Sequence, residues 1–151
     1  MDTATAIRHF CAYQERSHKE VRNKLYELGC STSQVEETIA DLIANDYLNE
    51  ERFARALARG KFRLKGWGKV KIIQHLKLHR VSDYCIKKGL TEIDQEEYQS
   101  TMRKHAEKKM KELKSERNIF IRKAKLQRYL LQKGYESFLV NEIITEIIDR
   151  R

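Results

Sequence analysis

Between Arg52 and Ser82 the chain carries Arg52, Arg55, Arg59, Lys61, Arg63, Lys65, Lys69, Lys71, Lys77 and Arg80, with no acidic residue over thirty-one positions. The run encloses Trp67 in the segment Lys65-Gly66-Trp67-Gly68-Lys69, where a ring flanked by glycines has little local helix to pack on. Cationic side chains beside an indole suit a polyanion: the charges meet phosphates or carboxylates and the ring offers a stacking platform. A solvated helix face, with Trp67 packed on a neighbouring unit, is the alternative reading of the same residues. The candidate contact residues are Arg59, Arg63, Lys65, Trp67, Lys69, Lys71 and Lys77.

Other reactive residue types form no catalytic pattern. His75 and His79 lie one helical turn apart and Cys85 follows, an i,i+4 spacing that could begin a zinc site. The segment reads His75-Leu76-Lys77-Leu78-His79, so the glutamate of a zinc-hydrolase motif is absent and nearby lysines repel a cation. There is no GxSxG, no phosphate-binding loop, no GxGxxG and no convincing carboxylate pair. Cys11, Cys30 and Cys85 form no CxxC and read as small reduced hydrophobes rather than a disulfide framework. Neither catalysis nor a metal nor a cofactor is expected, so function is sought on a surface rather than in a pocket.

Composition agrees. Of 151 residues, 35% are charged and 40% hydrophobic, with no proline, a mix that suits amphipathic helices with one buried stripe. The net charge of +9 is unevenly spread: −3 over residues 1–49, +9 over 50–90 and +3 over 91–151. Apolar runs reach only two or three residues, as in Phe138-Leu139-Val140, so no membrane span is expected. The start, Met1-Asp2-Thr3-Ala4, lacks a basic and an apolar leader region, which points to the cytoplasm.

The elements that must carry the basic run belong to an internal repeat. Val21, Leu25 and Gly29 return as Ile72, Leu76 and Arg80 at an offset of 51, and as Leu126, Leu130 and Gly134 at an offset of 105. The same offsets carry Val35, Ile39 and Leu42 onto Ile86, Leu90 and Ile93, and onto Val140, Ile144 and Ile147. A period near 50 marks stacked helical units, each too small to bury its apolar face alone. Ser17-x-x-Glu20 and Ser33-x-x-Glu36 have capping-box form, Asn49 reads as a further N-cap, and Gly29 and Gly134 suit the position past a helix end. Sustained alternation is absent, so no strands are expected. The pattern predicts helices near 4–14, 18–28, 34–45, 50–64, 69–79, 83–88, 94–115, 118–133 and 138–149. That is an all-α fold of three tandem three-helix repeats, with units at 1–49, 50–93 and 94–151. The middle unit fits least well, because Arg80 replaces a capping glycine and Gly89 interrupts the third stripe.

Val21, Leu25 and Leu28 followed by Val35, Ile39, Leu42 and Ile43 outline a helix-turn-helix, which invites a DNA-reading hypothesis. Charge argues against it: no lysine or arginine occurs between Lys24 and Arg52, while Glu36, Glu37, Asp41 and Asp46 do. Arg103, Lys104, Lys108, Lys109, Lys111 and Lys114 are interleaved with Glu107, Glu112 and Glu116 and read as a solvated helix with a buried stripe of Met102, Ala106, Met110 and Leu113.

Several of these segments resemble the RecX family, bacterial regulators of the RecA recombinase. Ser17-His18-Lys19-Glu20-Val21-Arg22-Asn23-Lys24-Leu25 is similar to that family's SxxELxxKL opening, with valine for the first leucine. Tyr47-Leu48-Asn49-Glu50-Glu51-Arg52-Phe53-Ala54 is similar to its (L/Y)(L/I)(D/N)DERFA signature. Lys65-Gly66-Trp67-Gly68-Lys69-Val70 resembles its basic KGxxxI segment, although Trp67-Gly68 stands where proline and a basic residue are more usual. Leu131-Gln132-Lys133-Gly134-Tyr135 resembles its RRGF-like turn, and the likeness covers roughly residues 6–149.

The resemblance implies an elongated, curved, right-handed or solenoid-like stack of repeats, lodging in the groove of a RecA filament. There it would block filament growth and reduce ATP turnover, strand exchange and coprotease activity, and so modulate homologous recombination, DNA repair and the SOS response. The expected partners are the RecA filament and, weakly and without sequence preference, single- and double-stranded DNA; the protein is expected to be a monomer. The residues alone leave two rivals open: a basic nucleic-acid-binding module with no recombinase target, and a scaffold for an unrelated acidic protein.

Overall fold

The structure is a computed structural model that describes residues 1–149. Among the described residues there are nine helices and no strand. In order they are α1 (Thr3–Tyr13), α2 (His18–Glu27), α3 (Thr32–Ala44), α4 (Glu50–Lys65), α5 (Lys69–Leu78), α6 (Asp83–Leu90), α7 (Gln95–Glu112), α8 (Ile119–Gln132) and α9 (Ser137–Asp149). The last two residues of the expected 94–151 unit lie outside the described residues.

Helix starts follow local chemistry. Asp2, Ser17, Ser31, Asn49, Ser82, Asp94 and Asn118 each place a side-chain oxygen on an unpaired amide of the next helix. Ser17 and Glu20 form the expected capping box, with 3.0 Å bonds in both directions. The expected box at Ser33 is corrected: α3 starts two residues earlier, capped by Ser31 with Gln34 returning the bond. Glu36 is thereby released to pair with Arg22 at 2.9 Å. Gly29 and Gly134 close α2 and α8 at φ 90° and 98°, the left-handed region that lacks a penalty only for glycine. Arg80 closes α5 in the same region, at φ 58°.

The chain divides into two compact units, residues 1–58 with 75–92, and residues 59–74 with 93–151. In the first, one core cluster contains Ile7, Cys11, Val21, Leu25, Val35, Ile39, Leu42 and Leu48. The same unit buries Phe53, Ala54, Ala58, Leu76, Val81, Cys85 and Ile86. Gly89 does not end α6 as expected. It is buried inside the helix, and a Cβ there would stand 2.8 Å from the carbonyl oxygen of Ala54. The helix-propensity cost of about 1 kcal/mol is accepted because the two backbones touch.

The second unit buries Phe62 and Ile72 with Tyr98, Met102, Ala106, Met110 and Leu113 of the α7 stripe, Leu126 and Leu130 of α8, Tyr135, and Val140, Ile143, Ile144 and Ile147 of α9. The repeat is therefore a packing repeat. Val21, Leu25, Ile72, Leu76, Leu126 and Leu130 are all at 0% exposure, so the first pair of apolar positions is sealed in each copy.

Candidate interaction surface

Arg59, Arg63 and Lys65 stand on the last turns of α4, Trp67 in the turn that follows, and Lys69, Lys71 and Lys77 on α5. Lys77 belongs to the first unit and the other six to the second. Arg59, Arg63, Lys65 and Lys77 are exposed, whereas Trp67, Lys69 and Lys71 are half-buried.

An absence of acids along the chain is not an absence of acids in space. Arg52 is held by Glu15 at 2.6 Å and by Asp46 at 3.0 Å, and Arg55 by Glu51 at 3.2 Å and Glu92 at 3.8 Å. Both arginines thus serve the packing of the first unit. Arg63 faces Glu97 at 4.0 Å, an exposed pair of small energetic weight. Lys65, Lys69 and Lys71 make no ion pair among the described residues, so net charge concentrates where α4 ends and α5 begins.

This turn is locked to the turn between α8 and α9, within the second unit. The amide of Gly68 donates to the Lys133 carbonyl at 2.8 Å, and that of Val70 to the Gly134 carbonyl at 2.9 Å. Between them the amide of Lys69 donates to the Tyr98 hydroxyl at 2.8 Å. Three amides at the start of α5 are therefore satisfied by distant partners rather than by a local cap. The positive end of α5 meets the negative end of α8, which is also favourable for their dipoles. A Cβ on Gly68 would lie 2.3 Å from the backbone of Gly134 and Tyr135, so only glycine permits this approach.

Two buried tyrosines complete the lock. Tyr98 also donates to Glu136, and its ring packs 5.8 Å from Phe62 and 5.3 Å from Tyr135. Burial, and then the Glu136 carboxylate, push its hydroxyl far above the ordinary tyrosine range. Tyr135 donates to the Gly66 carbonyl at 2.8 Å, and burial raises it likewise.

Trp67 is not a bare platform: Lys61 Nζ lies 4.9 Å and Lys71 Nζ 4.6 Å from its ring. The indole thus gathers two ammonium groups into one place. Beside it, Lys133 Nζ donates to the Lys65 carbonyl at 3.2 Å. Lys133 is held below the ordinary lysine range by burial and then by the Lys71 and Lys108 charges. His105 packs against Gly66, and burial followed by the charges of Lys133 and Lys108 lowers it below the ordinary histidine range. Lys61, Lys108, Lys133 and His105 are absent from the contact residues that the sequence suggests. Lys61 lies in the basic run, and Lys133 lies in an acid-free stretch from Arg117 to Tyr135 that could have signalled it. Nothing local marks Lys108 or His105.

The histidines of the middle segment have structural employment. His79 Nδ1 shares a 2.9 Å hydrogen bond with the buried Ser17 hydroxyl, and its ring packs 5.1 Å from Phe53. Among the described residues no group of three or more His, Cys, Asp or Glu is placed to hold a metal ion.

Three family models match in series: the first three-helix domain of RecX at residues 8–42, the second at 49–90 and the third at 95–144. The chain belongs to the RecX family. It is 32% identical over 133 residues to the regulatory protein RecX of Clostridium perfringens, across 87% of this chain and 62% of that one. The chain thus spans less than two thirds of the length of that relative. The regulatory protein RecX of Prosthecochloris aestuarii is 28% identical over 150 residues, with 97% of this chain and 96% of that one covered. The crystal structure of RecX from Lactobacillus salivarius shares the fold at a TM-score of 0.82, with 24% identity over 95% of this chain and 92% of that one. A second RecX crystal structure has a TM-score of 0.83 at 22% identity, covering 98% of this chain and 71% of that one. As a RecX-family member the chain is an all-α protein of three three-helix domains.

Proposed function

We propose that this chain regulates the RecA recombinase by lodging in the groove of RecA–DNA filaments, where it limits filament growth, ATP hydrolysis and strand exchange. Membership of the RecX family supports the target, and the observation that carries the surface is the locked turn with its unpaired lysines. The functional units in this reading are the repeats 1–49, 50–93 and 94–151. The contacts within the second compact unit are Arg59, Arg63, Lys65, Trp67, Lys69 and Lys71, with Lys77 a further contact in the first. A filament groove lined by phosphates and acidic side chains presents many modest partners, and a turn held by backbone bonds enters it with little further loss of entropy. In this reading the chain acts by binding alone, as a monomer in the cytoplasm.

The test is single-stranded-DNA-dependent ATP hydrolysis by RecA, titrated with this protein. Inhibition well below one molecule per RecA protomer that excess DNA does not relieve is the expected result. Inhibition that vanishes with excess DNA would favour the second reading, a nucleic-acid-binding module without a recombinase target, which the unpaired lysines also suit. That reading requires affinity for DNA alone to fall about 10³–10⁵-fold between 50 and 200 mM salt, for roughly six to ten phosphate contacts.

A further inference from the structure

Arg80 stands where the other two repeats have glycine, in the same left-handed region, at φ 58°. A strained arginine in a position that glycine fills without cost calls for a use of its side chain. Arg80 lines a cavity of about 220 Å³ that lies wholly within the first unit, between the start of α2 and the end of α5. His18, Lys19, Arg22 and Asn23 of α2 line it too, with His79 beside Arg80. The side chains of His18, Asn23 and Arg80 have no hydrogen bond or ion pair among the described residues. The others are held in place. Lys19 Nζ donates to the Leu78 carbonyl at 2.9 Å, Arg22 donates to Glu36 at 2.9 Å, and His79 Nδ1 meets the Ser17 hydroxyl. Glu50 is the single carboxylate among the lining residues, and the Ser82 amide already engages it.

We propose that this cavity is an anion site for the phosphoryl group of a small molecule, with Arg80 as its principal ligand. Lys19, Arg22 and Arg80 bring three cations to one wall, against the one carboxylate of Glu50. A phosphate monoester carries nearly two negative charges at neutral pH and three strong acceptor oxygens, which suit donors arriving from two helices. The Arg80 fork can take two of those oxygens, and His18 and Asn23 are donors without other employment. A carboxylate has two oxygens in one plane and would leave part of this set unused. Side chains already fixed by Leu78, Glu36 and Ser17 lose little freedom when the ligand enters. The first amides of α2 are capped by Ser17, so the site acts through side chains and not through a helix terminus. Pockets for drug-sized ligands run to about 300–1,000 Å³. This cavity is smaller, so it admits a phosphoryl group or a pyrophosphate and leaves any larger carrier outside. It shares no residue with the contacts proposed for the filament and does not rest on them.

The experiment titrates pyrophosphate into the full chain by calorimetry, in phosphate-free buffer at constant ionic strength, with succinate as the carboxylate comparison. One pyrophosphate per chain is expected, bound more tightly than succinate. Arg80→Gln removes the charge and keeps the backbone strain, whereas Arg80→Gly removes both. Each is expected to weaken pyrophosphate binding about tenfold or more, the loss of one charge-assisted hydrogen bond. Lys87→Gln removes a charge from α6 in the same unit and is expected to change nothing. Succinate bound as tightly as pyrophosphate, or an equal loss in Lys87→Gln and Arg80→Gln, would overturn the site. So would a loss as large as that of Arg80→Gln when Lys65, Lys69 and Lys71 are reversed together, because the anion would then sit on the basic turn. ATP distinguishes the source of the phosphoryl group: tighter binding than pyrophosphate identifies a nucleotide, and binding no tighter identifies a free phosphate. RecA and DNA are absent throughout, so a failure here removes the anion site and leaves the filament reading to its own ATP-hydrolysis test.

Discussion

The hydroxyl of Tyr135 donates a 2.8 Å hydrogen bond to the carbonyl of Gly66, across 69 residues of chain and in a fully buried setting. That bond links the turn of the middle repeat to the turn of the third. It also explains why a phenol is needed at position 135, which is only 1% exposed. Tyr135→Phe leaves the Gly66 carbonyl without this partner, a loss of about 1–3 kcal/mol. Thermal and urea unfolding should both show the loss, with the urea m-value unchanged. A melt identical to that of the parent would mean that the bond contributes nothing.

Two glycines separate close approach from mere helix position. Gly60 lies inside α4 with nothing within 4 Å of a Cβ, so Gly60→Ala should stabilise by about 0.5–1 kcal/mol. Gly68→Ala drives a methyl to 2.3 Å from backbone atoms of Gly134 and Tyr135 and should destabilise strongly. Opposite shifts in melting temperature are expected, and shifts of the same sign would contradict the packing of the turn.

Arg80 occupies the left-handed position that glycine fills in the first and third repeats. An L-residue there costs about 1–2 kcal/mol. Arg80→Gly should therefore raise the melting temperature, and a fall would show that the arginine side chain stabilises the fold by more than the strain it brings.

His105 gives the fold a pH dependence. Its lowered value when folded, caused first by burial and then by Lys133 and Lys108, means that the unfolded chain binds the proton more readily. Its contribution is therefore harmless above the unfolded value near 6.5, and stability is lost as pH falls from there toward the folded value. Melting temperature should drop between pH 7.5 and 5 in the parent and less in His105→Gln. An equal drop in both proteins would assign the effect to other groups.

Reversing Lys65, Lys69 and Lys71 together to glutamate should abolish inhibition of RecA ATP hydrolysis while far-ultraviolet circular dichroism stays unchanged. None of the three is ion-paired among the described residues, and the charges of Lys69 and Lys71 meet only the rings of Tyr98 and Trp67, contacts too small in energy to hold the helices. Undiminished inhibition by this triple variant would place the filament contacts elsewhere on the molecule.

The repeat is legible because its signal is periodic and local. Val21 and Leu25, Ile72 and Leu76, and Leu126 and Leu130 announce the same buried stripe from three places, and each is sealed in the structure. Ser17 with Glu20, Asn49, Gly29 and Gly134 are legible for the same reason, since a cap acts within one turn of its helix. The Ser33 box misleads because Ser31 and Gln34 satisfy the same rule two residues earlier, and Arg22 competes for Glu36. Gly89 misleads because its reason lies in the backbone of Ala54, thirty-five positions away in the sequence.

By itself, then, the amino-acid sequence determined the helical class, the three-fold repetition, most helix ends and the location of excess positive charge. All of these depend on neighbours within a few residues or on a period that can be counted. Only the tertiary structure decided which charges remain unpaired. It gave Arg52 and Arg55 carboxylate partners, brought Lys71 beside Lys133, and employed Tyr98 and Tyr135 as buried donors. The physical reason is distance along the chain: a carboxylate or a carbonyl tens of residues away changes the energy of a side chain as much as an adjacent one once packing brings them within about 4 Å.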